Sequence, residues 1–125
     1  MDPKKILLVD DSSTIIMMER MILMKGPFEL LIAGNGAEGV AMARSEKPDL
    51  ILLDRIMPEM DGLSACKELK ADPATRDIPI IMVTTKGEDN DVSLGMEAGC
   101  SAYVTKPIDA KDLLSKVNRL LGLSK

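Results

Sequence analysis

The chain has 125 residues, 46% of them hydrophobic and 29% charged, with a formal net charge of −4. That length suits one domain around one buried core, and no apolar run approaches the roughly 20 residues that a membrane-spanning helix needs. An acidic balance without a Lys/Arg cluster speaks against nucleic-acid binding, the lack of histidine removes Ser-His, Cys-His and histidine-metal chemistry, and Met1-Asp2-Pro3-Lys4-Lys5 carries no signal-peptide pattern, so a cytoplasmic protein is expected.

Along the chain, short apolar runs alternate with segments of helical period. The first strand is predicted over Lys5 to Val9 and runs directly into Asp10-Asp11. A helix follows over Ser13 to Lys25, closed by Gly26. It carries a core stripe of Ile15, Met18 and Ile22, and on the opposite side Met17, Met21 and Met24 at i, i+4 and i+7. Methionines so placed either fill gaps under a neighbouring loop or offer an adaptable surface to a partner. The second strand is expected over Phe28 to Ala33, and a helix over Gly36 to Ser45 with Asn35 as its N-cap and Lys47-Pro48 beyond its end. The third strand, Leu50 to Leu53, is apolar throughout, as a central strand covered on both faces should be, and it ends at Asp54. A helix over Gly62 to Ala71 leads through Ile78-Pro79 to an equally apolar fourth strand, Ile80 to Thr84. A helix over Glu88 to Ala98, closed by Gly99, precedes the fifth strand, Ala102 to Thr105. Lys106-Pro107 follows, then a last helix over Ala110 to Leu121, with Asp109 as N-cap and Gly122 as its close. Cys66 and Cys100 show neither CxxC nor zinc spacing and read as small core residues.

Five such units make a doubly wound α/β fold with a parallel sheet, whose ligand site lies beyond the carboxyl ends of the strands. Asp10, Asp11, Asp54, Thr84 and Lys106 all fall there. Crowding three carboxylates costs several kcal/mol of repulsion unless a cation offsets it. An all-oxygen set of this kind suits Mg²⁺ or Mn²⁺, with water and a phosphoryl oxygen completing the shell. A carboxylate in such a place can attack phosphorus to give an acyl phosphate.

The residues Leu7-Leu8-Val9-Asp10-Asp11-Ser12, Leu52-Leu53-Asp54-Arg55-Ile56-Met57-Pro58-Glu59-Met60-Asp61-Gly62, Val83-Thr84-Thr85 and Tyr103-Val104-Thr105-Lys106-Pro107 make a highly specific set. By them the chain resembles the receiver domains of two-component response regulators over essentially its whole length, residues 1–125. The resemblance implies a flavodoxin-like sheet of strand order 2-1-3-4-5 with five helices on both faces. It implies that Asp54 is the phosphoacceptor, and that Asp10, Asp11, Asp54 and the backbone carbonyl of Ile56 hold the divalent metal. Thr84 would hydrogen-bond the phosphoryl group, Lys106 would ion-pair with it, and Lys106-Pro107 would be a cis peptide. Tyr103 matches the aromatic that turns inward in the switched state. The donor would be a phosphohistidine on a histidine kinase or histidine phosphotransfer protein, docking on the first helix with Met17, Met21 and Met24. The output surface would be the fourth helix, fifth strand and fifth helix, about Glu88 to Leu121, acting on a downstream protein. The module would not be an enzyme. With no output domain after Leu121, it is expected to be a stand-alone, chemotaxis-type regulator or a domain of a longer protein.

This sequence departs from the family at Ile56, where a polar side chain often stands, with Lys86 on the opposite lip. An isoleucine cannot orient an attacking water, so slow self-dephosphorylation is expected. Arg55 reads as a solvated lip residue or a contact for an acidic partner. The rival phosphatase of the haloacid-dehalogenase type would need DxD after the first strand, where this chain has Asp10-Asp11-Ser12. A nucleotide-hydrolysing reading lacks its GxxxxGK[ST] loop. An interaction module of the same fold that works without phosphorylation is the remaining alternative.

Overall fold

Strands that are apolar on both faces can be satisfied only between two layers of helices, and the computed structural model has that arrangement. It describes residues 3–55, 57, 60–85, 96 and 98–123. The elements run β1 (Lys4–Val9), α1 (Ser13–Leu23), β2 (Phe28–Ala33), α2 (Gly36–Glu46), β3 (Leu50–Asp54), α3 (Gly62–Ala71), β4 (Ile80–Thr85), β5 (Ala102–Lys106) and α4 (Ala110–Leu120). The five strands form one parallel sheet in the order β2-β1-β3-β4-β5. Four helices are described rather than the five expected. The segment Glu88 to Ala98 lies, apart from the helical Met96 and Ala98, outside the described residues.

Alternation along the strands sorts the core into two halves. Leu7, Val9, Ile51, Leu53, Ile80 and Met82 pack with Val40, Ala65 and Leu69 of α2 and α3. Ile6, Leu8, Leu50, Leu52, Ile81 and Val83 pack with Ile16 and Leu23 of α1 and Leu113 and Val117 of α4. Cys66 and Cys100 are free and buried in the first half, and burial pushes the Cys66 thiol up to about 11, which leaves it inert. No described helix is long and apolar enough to cross a membrane.

The helix ends explain how the chain enters and leaves the sheet. Asn35 Oδ1 accepts from the Glu38 N–H at 2.8 Å, and Glu38 reaches back to the Gly34 N–H at 3.2 Å. Ser12 caps α1 and Asp61 caps α3, two caps the sequence reading did not assign. Asp109 stands at the N-cap of α4 but makes no side-chain cap hydrogen bond. Gly99 and Gly122 are left-handed, at φ 106° and 74°, whereas Gly26 is not. α1 closes earlier, on a right-handed Met24, and the Gly26 N–H bonds the Leu23 carbonyl at 3.0 Å. α2 instead ends on a left-handed lysine, Lys47 at φ 47°, and Pro48 after it bars any continuation of the helix. The inner face of α1 is also centred differently from the expected stripe. Ile16, Glu19 and Leu23 are buried, while Ile15, Met18 and Ile22 are only half-buried beside them.

Candidate functional site

Because the strands are parallel, their carboxyl ends share one rim, and the site is built there. Asp10 follows β1, Asp54 ends β3, Thr84 lies in β4 one residue from its end, and Lys106 ends β5. The ladder sets Asp54 opposite Val83, Thr84 opposite Thr105 and Thr85 opposite Lys106. Carboxylate oxygens of Asp10, Asp11 and Asp54 lie within 4.8 Å of one another. Asp10 and Asp54 are buried and Asp11 is exposed. Asp10, Asp11, Asp54 and Lys106 are therefore drawn from three strand ends to one place, with Thr84 near the end of β4 on the same rim. The carbonyl of Ile56 lies outside the described residues.

Lys106 Nζ donates to Asp54 Oδ1 at 3.1 Å and stands 3.9 Å from Asp10 Oδ2. Asp10 Oδ1 accepts the Ser12 N–H at 2.8 Å, which fixes the carboxyl, while Oδ2 is buried without a hydrogen bond. Burial, opposed by the Ser12 N–H and reinforced by Asp54, pushes Asp10 up to about 6. Burial also raises Asp54, against the pull of Lys106. Among the described residues Lys106 sets its ammonium against Asp54 and Asp10, and two ionised carboxylates at 4.8 Å repel by about 3 kcal/mol at an effective dielectric near 20. An added divalent cation would remove that repulsion. The oxygen-only donors and an Asp10 Oδ2 that accepts no hydrogen bond fit such an ion.

The walls of the site follow from small residues and caps. At Gly62, the first residue of α3, a Cβ would collide with the Asp54 carbonyl oxygen, so glycine lets the helix sit against the backbone of the acid. The Gly62 N–H in turn bonds the Arg55 carbonyl at 2.9 Å. Arg55 is not a solvated lip residue, since its guanidinium turns onto Asp61 at 3.4 Å and is largely covered. That ion pair and the Ser64 N–H, the larger cause, hold Asp61 below the usual carboxylate range. Thr84 is buried, with its hydroxyl making no hydrogen bond. The Lys106–Pro107 peptide is cis. Tyr103 turns outward from β5 and is 38% exposed.

A groove of about 390 Å³ runs from Asp10 and Asp11 along α1, walled by Ile16, Met17, Arg20 and Ile32. Met17 in its wall, and Met21 and Met24 further along the chain, are 61%, 61% and 71% exposed, so they fill no gap beneath a loop. Glu19 was not foreseen. It is 1% exposed on the inner face of α1 and its Oε1 has no hydrogen bond. Burial first, and then the charges of Asp10 and Asp54, push its carboxyl up to about 8. No spacing signal marks it.

The "Response regulator receiver domain" family matches residues 6–118. Protein PilH of Pseudomonas aeruginosa is 43% identical over 118 residues, covering 94% of this chain and 98% of that protein. The transcriptional regulatory protein PhoP of Bacillus subtilis is 37% identical over 97% of this chain, which spans 50% of PhoP's length. Among solved structures, a putative response regulator from Chloroflexus aurantiacus superposes with a TM-score of 0.93 at 31% identity, over 96% of this chain and 98% of that one. The receiver domain of sensor histidine kinase PA1611 from Pseudomonas aeruginosa, solved with a magnesium ion in its active site cleft, superposes with a TM-score of 0.89 at 28% identity, over 96% and 98%. With a family match of this extent on a sheet of this order, the chain belongs to the response-regulator receiver domains.

Proposed function

We propose that Asp54 accepts a phosphoryl group from a phosphohistidine of a histidine kinase or histidine phosphotransfer protein, and that the acyl phosphate changes the surface this domain offers to a downstream protein. The observation that carries this reading is the placement of Asp54, buried at a strand end with Lys106 at 3.1 Å and two more acids beside it. An Asp54 carboxylate oxygen attacks phosphorus as the phosphorus–nitrogen bond to imidazole breaks, and the electron pair of that bond stays with the imidazole nitrogen. Lys106 exchanges its contact with the carboxylate for one with the phosphoryl oxygens. The Thr84 hydroxyl, which has no hydrogen-bond partner, donates to the same group. Asp10, Asp11 and Asp54, with the Ile56 carbonyl that the family resemblance adds, would hold Mg²⁺ or Mn²⁺, which would supply positive charge to offset that of the carboxylates and phosphoryl oxygens. The magnesium in the PA1611 receiver supports this choice.

Phosphorylation can bias the fold only as far as the phosphoryl group interacts better with one state. In that state Thr84 and Tyr103 move toward the site, and the output face is the predicted fourth helix with β5 and α4. Met17, Met21 and Met24 receive the donor's helices. The domain, residues 1–125, acts in the cytoplasm by protein contact, without nucleic acid or membrane and without turning over a substrate. Incubation with Mg²⁺ and acetyl phosphate should give a hydroxylamine-sensitive adduct that Asp54→Asn abolishes. An adduct that survived Asp54→Asn would refute the assignment, and a wild-type protein that took up none would favour the phosphorylation-independent module.

A further inference from the structure

Tyr103 does not stand free on the surface. Lys116, two turns into α4, sets its ammonium 5.2 Å from the centre of the Tyr103 ring. The same Nζ donates to the Tyr103 backbone carbonyl at 2.7 Å and to Asp112 Oδ2 at 3.0 Å. β5 is the edge strand, so that carbonyl is turned away from the ladder and open to a side-chain donor. The carbonyl and the carboxylate thus pin the ammonium over the ring by contacts that do not involve the ring. A cation on a tyrosine face attracts it, and a pinned cation cannot follow when the ring leaves.

We propose that Lys116 is the catch that holds Tyr103 outward, so that its grip on the ring sets how much occupancy of Asp54 is needed to turn the switch. This rests on the reading of Tyr103 as the switch aromatic. Three features single out Lys116 for the role. It reaches the ring from α4, the only described helix to place a cation on it. It is anchored at two points, with Asp112 one helical turn before it on the same face. Its side chain is also mostly covered, at 23% exposure, which keeps the contact from being screened as fully as a surface pair would be. Lys116 contributes to the outward state alone, and a group that favours one state raises the ligand concentration needed to reach the other by the same factor.

Tyrosine emission reads this contact without a label, because the chain has 1 Tyr and 0 Trp. The full chain is titrated with beryllofluoride in Mg²⁺, with fluorine NMR recording occupancy of Asp54. Lys116→Met, which keeps the length and loses the charge, should lower the beryllofluoride midpoint of the emission change by roughly two- to five-fold. Lys116→Arg, which keeps a cation on the ring, should stay within about twofold of wild type. Asp112→Asn, which loosens the anchor, should shift in the same direction by less. Equal midpoints for wild type and Lys116→Met, with circular dichroism spectra that superimpose, would overturn the catch while leaving the switch in place. An occupied wild type whose emission does not change would overturn the switch reading and the catch with it.

Discussion

Glutamine in place of Glu19 should stabilise the domain, and by more as the pH rises. Glu19 sits between Ile16 and Leu23 on the buried face of α1, 1% exposed, with Oε1 unbonded and the acids Asp10 and Asp54 in electrostatic range. Its carboxyl titrates at about 8 in the fold against 4.5 for a free glutamate. Between those values the folded chain holds a proton that the unfolded chain has released. The stability tied to that proton is complete below about 4.5 and drains away as the pH climbs toward 8. The loss is about 1.4 kcal/mol per pH unit, hence about 2.7 kcal/mol between pH 5 and pH 7, and relaxation of the site brings the measurable value to about 1–3 kcal/mol. The Glu19→Gln variant would keep the volume and the polar head but not the titration. Urea unfolding of both proteins in EDTA at pH 5, 6, 7 and 8 gives the difference directly, since Asp10 and Asp54 titrate in both and largely cancel. A difference that grows with pH and levels near 8 is expected. A constant offset across the series would refute the argument, because it would mean that Glu19 is ionised in the fold or reaches water.

Met17→Glu with Met21→Glu should slow transfer from the cognate phosphohistidine protein tenfold or more, about 1.4 kcal/mol, and leave phosphorylation by acetyl phosphate unchanged. Equal loss in both assays would point to misfolding instead. Gly62→Ala should lower stability by about 1–3 kcal/mol in thermal melts, because its Cβ meets the Asp54 backbone carbonyl, which cannot swing away as a side chain could. Gly34→Ala has no atom within 4 Å and should melt with the wild type. Ile56→Asn should shorten the phosphoryl half-life by supplying a polar group for an attacking water, and a half-life unchanged or longer would count against that reading.

The strands and the site could be read from the sequence for the same reason. A run such as Leu50-Ile51-Leu52-Leu53 has no polar face, so it belongs between two layers, and parallel strands then deliver Asp54 and its neighbours to one rim whatever the loops do. The phase of α1 could not be read in this way. Ile15, Ile16, Met17, Met18, Met21, Ile22, Leu23 and Met24 surround the helix with apolar residues, so Ile15-Met18-Ile22 looks as good a core stripe as the one that packs. Only the sheet chooses between them, and the choice that buries Ile16 and Leu23 carries Glu19 inward with them. Lys47 was hidden for another reason, since a left-handed lysine has no composition signal and Pro48 marks only where the helix must stop, not the conformation that stops it. The pairing of Lys116 with Tyr103 spans 13 residues across a strand and a helix and leaves no periodic trace.

The places where the chain breaks the rules of a stable core are concentrated rather than scattered. Asp10 Oδ2 and Thr84 Oγ1 are buried polar atoms without hydrogen bonds, both on the strand-end rim, and the Glu19 carboxyl, with its own Oε1 unbonded, lies within electrostatic reach of Asp10 and Asp54. Apolar side chains of similar volume at these positions would be expected to raise stability, as replacing buried ionic groups often does. Elsewhere the same strands satisfy every local rule, with Leu52, Ile81 and Leu8 fully buried and in register. A pocket left short of positive charge and of hydrogen-bond partners, inside an otherwise consistent core, is poised for a ligand that supplies both. A divalent cation brings the charge and a phosphoryl group brings acceptor oxygens for Thr84 and Lys106, so the groups that weaken the free domain are those that would respond most to its modification.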